Sequence, residues 1–236
     1  MNKISEQNMT NNEKNRADSH AGSAIGQRVI EEITRPPKEL LERLAQYDTT
    51  DLCDGAGVFN AMDYHIKPQI KKEKIVGPAV TVKVPIGASL AAARAIDIAK
   101  AGDIIVIDGH GVCNNALWGG HRSFCCQLKG ITGVVIDGAF RDIDENEELG
   151  FPIYARALTC GAASKNSSGE INVPISCGGV IVNPGDIIVG DRNGIVVIKP
   201  EEAEEIMQRA KERIDKQKAI REEMLKNGTV EANLYK

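Results

Sequence analysis

Apolar positions change their period several times along this chain, and each change marks an element. Residues 38–47 place Leu40, Leu41 and Leu44 on one helical face. Thr49-Thr50-Asp51 offers capping groups for a short helix over 52–58. The alternation and β-branching of 75–84 predict a strand. Residues 89–100 are alanine-rich and predict a helix with Leu90, Ala93, Ile96 and Ile98 apolar. The runs 104–107 and 133–136 are short and wholly apolar, as in strands buried on both faces. Residues 117–129 between them suffice for a crossover helix, so the three form a βαβ unit. Each strand ends in Asp-Gly, at Asp108-Gly109 and Asp137-Gly138. Parallel pairing brings those ends to one sheet edge, where open α/β folds hold ligands.

The later chain turns to short β pieces at 180–183, 187–189 and 195–198. The last separator, Asp191-Arg192-Asn193-Gly194, contains the hairpin signal Asn-Gly. Pro200 opens a helix over 201–226, with Ile206, Ala210 and Ile214 as a narrow apolar stripe and Gly228 as C-cap. Residues 161–172 form a small-residue loop. Residues 1–27 carry few large apolar side chains and are expected to be a mobile tail. The organisation expected is therefore a tail over 1–27, an α/β domain over 28–199, and a C-terminal helix and tail over 200–236.

Composition narrows the function. A net charge of -4 and 4% aromatic residues disfavour both a phosphate-backbone binder and a single-strand stacking platform, so no nucleic acid partner is expected. No apolar run approaches the roughly 18 residues of a membrane helix. The polar start lacks a signal peptide's apolar segment, so no membrane partner and a cytoplasmic location are expected. Six cysteines without a CxxC pair read as free thiols in a reducing compartment.

Two loops carry candidate chemistry. After the second buried strand comes Asp137-Gly-Ala-Phe-Arg-Asp-Ile-Asp-Glu145. Arg141 suits two-pronged binding of a carboxylate, and Asp142 suits a hard divalent cation. Together they fit a small oxo-acid held against a metal; a surface Arg-Asp pair at an acidic helix start is the plainer alternative. After the first strand, residues 108–122 hold the single tryptophan, Trp118, and two of four histidines, His110 and His121. Gly119-Gly120 before a helix can offer backbone N–H groups to an anion; a glycine-rich turn is the alternative. Each histidine reads first as a polar loop residue. GxxxxGK[ST], HExxH and GxSxG motifs are absent.

Gly120, twenty residues, Arg141-Asp142, two residues, then Glu145 resembles the signature of the RraA-like family. That family includes 4-hydroxy-4-methyl-2-oxoglutarate aldolases and the regulator of ribonuclease E activity A. Gly77-Pro-Ala-Val-Thr-Val-Lys, Gly133-Val-Val-Ile-Asp-Gly, Gly178-Gly-Val-Ile-Val-Asn-Pro-Gly-Asp and Asp191-Arg-Asn-Gly-Ile-Val-Val-Ile extend the likeness from about Thr49 to Gly228. The resemblance implies a compact α/β/β domain of the swivelling type, in trimers or pairs of trimers. It implies a divalent cation, magnesium or manganese, and cleavage of a small 2-oxo acid to pyruvate, with oxaloacetate decarboxylation. Asp142 matches the metal ligand and Arg141 the substrate-holding residue. Gly119, Gly120, His121 and Arg122 match the segment that contacts substrate. Many aldolase members carry an acid where this chain has Gly120; His121 or Asp108 are possible substitutes. Glu222 and Glu223 are candidates for acids lent to a neighbouring subunit. A protein-binding regulator is the alternative function; a methyltransferase would need a methyl-donor loop that the chain does not show.

Overall fold

The computed structural model describes residues 25–70, 74–165 and 168–232. Most of the expected tail, residues 1–24, lies outside these; just after it, the Gly26 amide donates to Glu170. Helices α1 (Lys38–Leu44) and α2 (Thr49–Gly55) and the two-residue strand β1 (Lys67–Pro68) lead into the sheet. Its centre is four strands, β2 (Ile75–Lys83), β3 (Ile104–Trp118), β4 (Gly133–Phe140) and β5 (Ile153–Leu158), each parallel to the next. Helices α3 (Leu90–Ile98), α4 (Gly120–Lys129) and α5 (Ile143–Leu149) make the three crossovers. The expected βαβ unit is thus one of three consecutive ones.

A short strand β6 (Glu170–Ile171) pairs with the end of β2, and β7 (Ile175–Cys177) and β8 (Val180–Val182) form a separate hairpin. The Asn-Gly turn joins β9 (Ile187–Gly190) to β10 (Ile195–Ile198), and β9 runs antiparallel to β2. The path across the sheet is β1-β5-β4-β3-β2-β9-β10. After a 3-10 turn, α6 (Ala203–Asn227) ends on left-handed Gly228, as read from the sequence.

Strand alternation explains the apolar runs. Val80, Ile105, Val134 and Ile153 form one row and pack beneath α3 and α4. Ala79, Ile104, Val106 and Val135 face the other way, against Ile175, Cys177 and Val182. A third cluster joins Leu44, Leu52, Val189, Ile198, Ile206 and Met207, so α6 is anchored through its first half. All six cysteines are free thiols, as expected.

Two expectations are corrected. β3 does not end at Ile107: residues 108–116, read as loop, and 117–118, read as the start of the crossover helix, continue it as a bulged strand with three register shifts against β4, and the helix starts at Gly120. Gly109 permits this, because a Cβ there would come within 2.5 Å of the Asp137 carbonyl oxygen. Second, α2 begins at Thr49 rather than Leu52, and its own residues do not cap it. Asp191 of the β9–β10 turn does so, accepting from the Thr49 amide at 2.9 Å and the Thr49 hydroxyl at 2.7 Å. Burial pushes the Asp191 carboxyl up, but bonds from Thr49 and Asn193 outweigh it and hold it below its ordinary value. Asp191→Ala should therefore lose about 1–3 kcal/mol at neutral pH in urea unfolding. A depressed carboxyl stabilises above its ordinary value of 3.8 and loses that contribution as pH falls through its folded value. The gap between wild type and variant should accordingly narrow below that pH; a constant gap would contradict this account.

Candidate functional site

Where β4 ends, the chain makes a sharp turn that is tied to the end of β3: the Arg141 amide donates to the Trp118 carbonyl at 3.0 Å. Asp142 then takes φ 62° and ψ 52°, the left-handed region, and stands as N-cap of α5. A non-glycine residue there costs of order 1–3 kcal/mol and persists only where neighbours hold it. The turn carries the Asp142 carboxylate away from its own helix, which it does not cap, toward the start of α4. There the Gly120 N–H donates to Asp142 Oδ2 at 3.2 Å. Arg141 Nε lies 3.5 Å from the same oxygen. The carboxylate thus meets the first N–H of α4 on one side and the Arg141 guanidinium on the other.

Gly119, the N-cap of α4, and Gly120, its first residue, leave room for this approach. A Cβ at Gly119 would collide with Asp142 Oδ2, and one at Gly120 would overlap the Glu145 carboxylate. Glu145, one turn into α5, therefore occupies the space where a side chain at 120 would begin. Asp108 does not do so. Asp108 is buried and accepts from the His110 amide, and the His110 ring meets the Val84 carbonyl through Nε2 at 2.8 Å. Neither His110 nor Asp108 lines the cavity described next.

Gly119, His121, Arg122, Arg141 and Asp142 line one cavity of about 130 Å³. Gly120 is buried beside it. Arg122 is committed to the frame: it donates to the Leu117 carbonyl, and to the Ser89 carbonyl at 3.0 Å and hydroxyl at 3.1 Å. Burial, and then the charge of Arg141, push its pKa down. Arg141 is 41% exposed and open to a ligand. The sequence reading missed Lys165, which lines the same cavity with Ala162 and Ala163. Their loop is pinned to both sides, by the Ala116 amide on the Gly161 carbonyl (2.7 Å) and the Ser89 amide on the Ser164 carbonyl (3.0 Å). Nothing local marks Lys165; only the folded loop brings it there. Glu222 and Glu223 lie on the exposed second half of α6 and do not line this cavity.

Among the described residues no group of three or more His, Cys, Asp or Glu side chains is gathered to hold a metal. Asp142 is the carboxylate that lines the cavity; that of Glu145 lies beside it, over Gly120, and does not line it. Also among the described residues, no helix is long and apolar enough to cross a membrane.

Known proteins resemble this chain in sequence and in fold. A Halalkalibacterium halodurans protein named "Putative 4-hydroxy-4-methyl-2-oxoglutarate aldolase" is 43% identical over 165 residues, covering 70% of this chain and 79% of its own. An uncharacterized Pseudomonas syringae protein of known structure superposes with a TM-score of 0.74 at 28% identity, over 84% of this chain and 93% of its own. The RNA-processing inhibitor RraA of Thermus thermophilis superposes with a TM-score of 0.60 at 29% identity, over 65% and 93%. Residues 49–197, more than half of the sequence, match the RraA-like family model, described as Aldolase/RraA, and the chain belongs to that family.

Proposed function

We propose that this protein is a divalent-metal-dependent lyase that cleaves a small 2-oxo acid and releases pyruvate, as an aldolase of the 4-hydroxy-4-methyl-2-oxoglutarate type that also decarboxylates oxaloacetate. One observation carries the reading: a cavity of small-acid size sets Arg122, Arg141 and Lys165 around an Asp142 carboxylate that an amide N–H holds in place. Cations alone would suit any anion. A fixed, 40% exposed carboxylate among them calls for a cation as well.

The donor set fits a hard cation that keeps much of its water, as magnesium and manganese do on one or two carboxylates. Asp142 would hold it, with Glu145 beside. When bound, such an ion supplies a Lewis acid for charge gathering on the 2-oxo oxygen. The rest falls to the chain's own groups. Arg141 offers a guanidinium to the substrate carboxylate and fixed positive charge to the site of cleavage. Lys165, across the cavity, meets a second carboxylate. The segment from Gly119 to Arg122 closes one wall and brings the N-terminal turn of α4 to the anion. In aldol cleavage a water molecule takes the proton of the 4-hydroxyl, with Glu145 as the nearby acid that orients it. Decarboxylation needs no such base. The exposed second half of α6, with Ile214, Ile220 and Met224 along it, packs on a neighbouring copy in a trimer or hexamer, and so lends Glu222 or Glu223 to that copy.

The test is pyruvate release from oxaloacetate and 4-hydroxy-2-oxo acids with Mg²⁺ or Mn²⁺. EDTA should abolish turnover and added metal restore it. Asp142→Asn should lower kcat/KM by roughly a hundredfold or more. Turnover that ignores EDTA, or a fully active Asp142→Asn, would refute the proposal. Inactivity on every acid, with capture of an RNA-degrading enzyme, would assign a regulator's role instead.

A further inference from the structure

From Trp118 in the cavity wall, three buried side chains form a directed chain of hydrogen bonds. Trp118, Ser123 and Asn146 are each at most 1% exposed. The Trp118 indole donates to Ser123 Oγ at 2.9 Å, and the Ser123 hydroxyl donates to Asn146 Oδ1 at 2.5 Å. Asn146 Nδ2 then donates to the carbonyls of Arg141 at 2.9 Å and Asp142 at 2.7 Å. The direction is forced. An indole N–H can only donate and a carbonyl can only accept, so Ser123 accepts from Trp118, Asn146 must turn its NH₂ to the two carbonyls, and the Ser123 proton goes to Oδ1. Both N–H bonds land on the peptide carbonyls that bracket Asp142, the residue at φ 62°.

We infer that Asn146 is the positioning residue of the site. It clamps Asp142 in its left-handed conformation and so aims the carboxylate at the start of α4; Ser123 and Trp118 fix which way the clamp faces. The consequence for metal binding rests on the function proposed above, whereas the clamp itself does not. No sequence motif marks the three residues as a set. They come from the end of β3, the first turns of α4 and the interior of α5, and only the crossover brings them together.

Thermal unfolding of a double-mutant cycle tests the clamp. Glycine adopts the left-handed region freely, so Asp142→Gly removes the need for it. Asn146→Ala should lower Tm less in the Asp142→Gly background than in wild type; equal losses overturn the clamp. Mn²⁺ titration followed by electron paramagnetic resonance, at a temperature where all variants are folded, tests the aim. Asn146→Ala should bind Mn²⁺ about tenfold more weakly and Ser123→Ala less weakened than that. A folded Asn146→Ala with wild-type affinity overturns the inference. Trp118 is the single tryptophan, so its emission should shift in Ser123→Ala, and an unchanged spectrum overturns the upper part of the chain. If wild type takes up no Mn²⁺, the lyase proposal fails, while the Tm cycle still decides the clamp.

Discussion

Arg141→Ala should reduce pyruvate release by about a hundredfold to a thousandfold, the scale of losing a preorganised donor to developing charge. Stability should barely move. The side chain is 41% exposed, and its approach to Asp142 at 3.5 Å is a surface ion pair worth about 0–1 kcal/mol. Its backbone, not its guanidinium, anchors the turn to Trp118. Arg122 cannot stand in, because its guanidinium is spent on Leu117 and Ser89. Arg141→Lys keeps the charge but loses the planar fork, so activity should fall between wild type and alanine. Arg122→Ala should behave in the opposite way, with Tm falling through three lost bonds from a half-buried group. Pyruvate assays and melting curves on these three variants decide the matter. A large Tm drop for Arg141→Ala would mean that the guanidinium is structural and would remove it from the reaction.

The contrast between the two arginines also shows what the sequence could and could not reveal. Ile104–Ile107 and Gly133–Ile136 were legible as buried strands because both faces of each are covered, so no polar residue interrupts the run. The Asp191-to-Gly194 turn was legible because Asn-Gly acts locally. Residues 108–118 were not. Their glycines and asparagines have loop composition, and they are strand only because β4 offers partners at Gly138, Ala139 and Phe140. The α2 cap was hidden for a similar reason, since its acceptor is Asp191, far along the chain. At the site, Arg141 and Asp142 stood out as a pair. Lys165 did not, because one lysine in a small-residue loop carries no pattern. Asn146 carries no signal in the sequence, since one asparagine in a short polar helix forms no motif. What escaped is what depends on contact across elements rather than on spacing within one.

The exchange of acid between positions 120 and 145 should be reversible. Glu145→Ala leaves Asp142 without its neighbouring carboxylate, and Mn²⁺ affinity should fall by about 10–100-fold, the range seen when a metal ligand loses its support. Gly120→Asp alone should not improve on wild type. Its Cβ falls where the Glu145 carboxylate lies, so the glutamate must swing outward, and two like charges then crowd one site. The backbone raises no objection. Gly120 is not among the positive-φ residues, and an acid in the first turn of α4 suits the helix dipole. Glu145 is exposed, so its displacement should cost about 1 kcal/mol rather than unfold the turn. The double variant Gly120→Asp/Glu145→Ala removes the collision and restores one acid to the same space. Its Mn²⁺ affinity and oxaloacetate decarboxylation should return to within about tenfold of wild type, well above either single variant. Aldol cleavage should recover less, because an aspartate reaching out from α4 approaches the 4-hydroxyl from a different side than a glutamate from α5. If the double variant binds Mn²⁺ no better than Glu145→Ala, the two positions do not share one role, and the carboxylate over Gly120 is there to fill space.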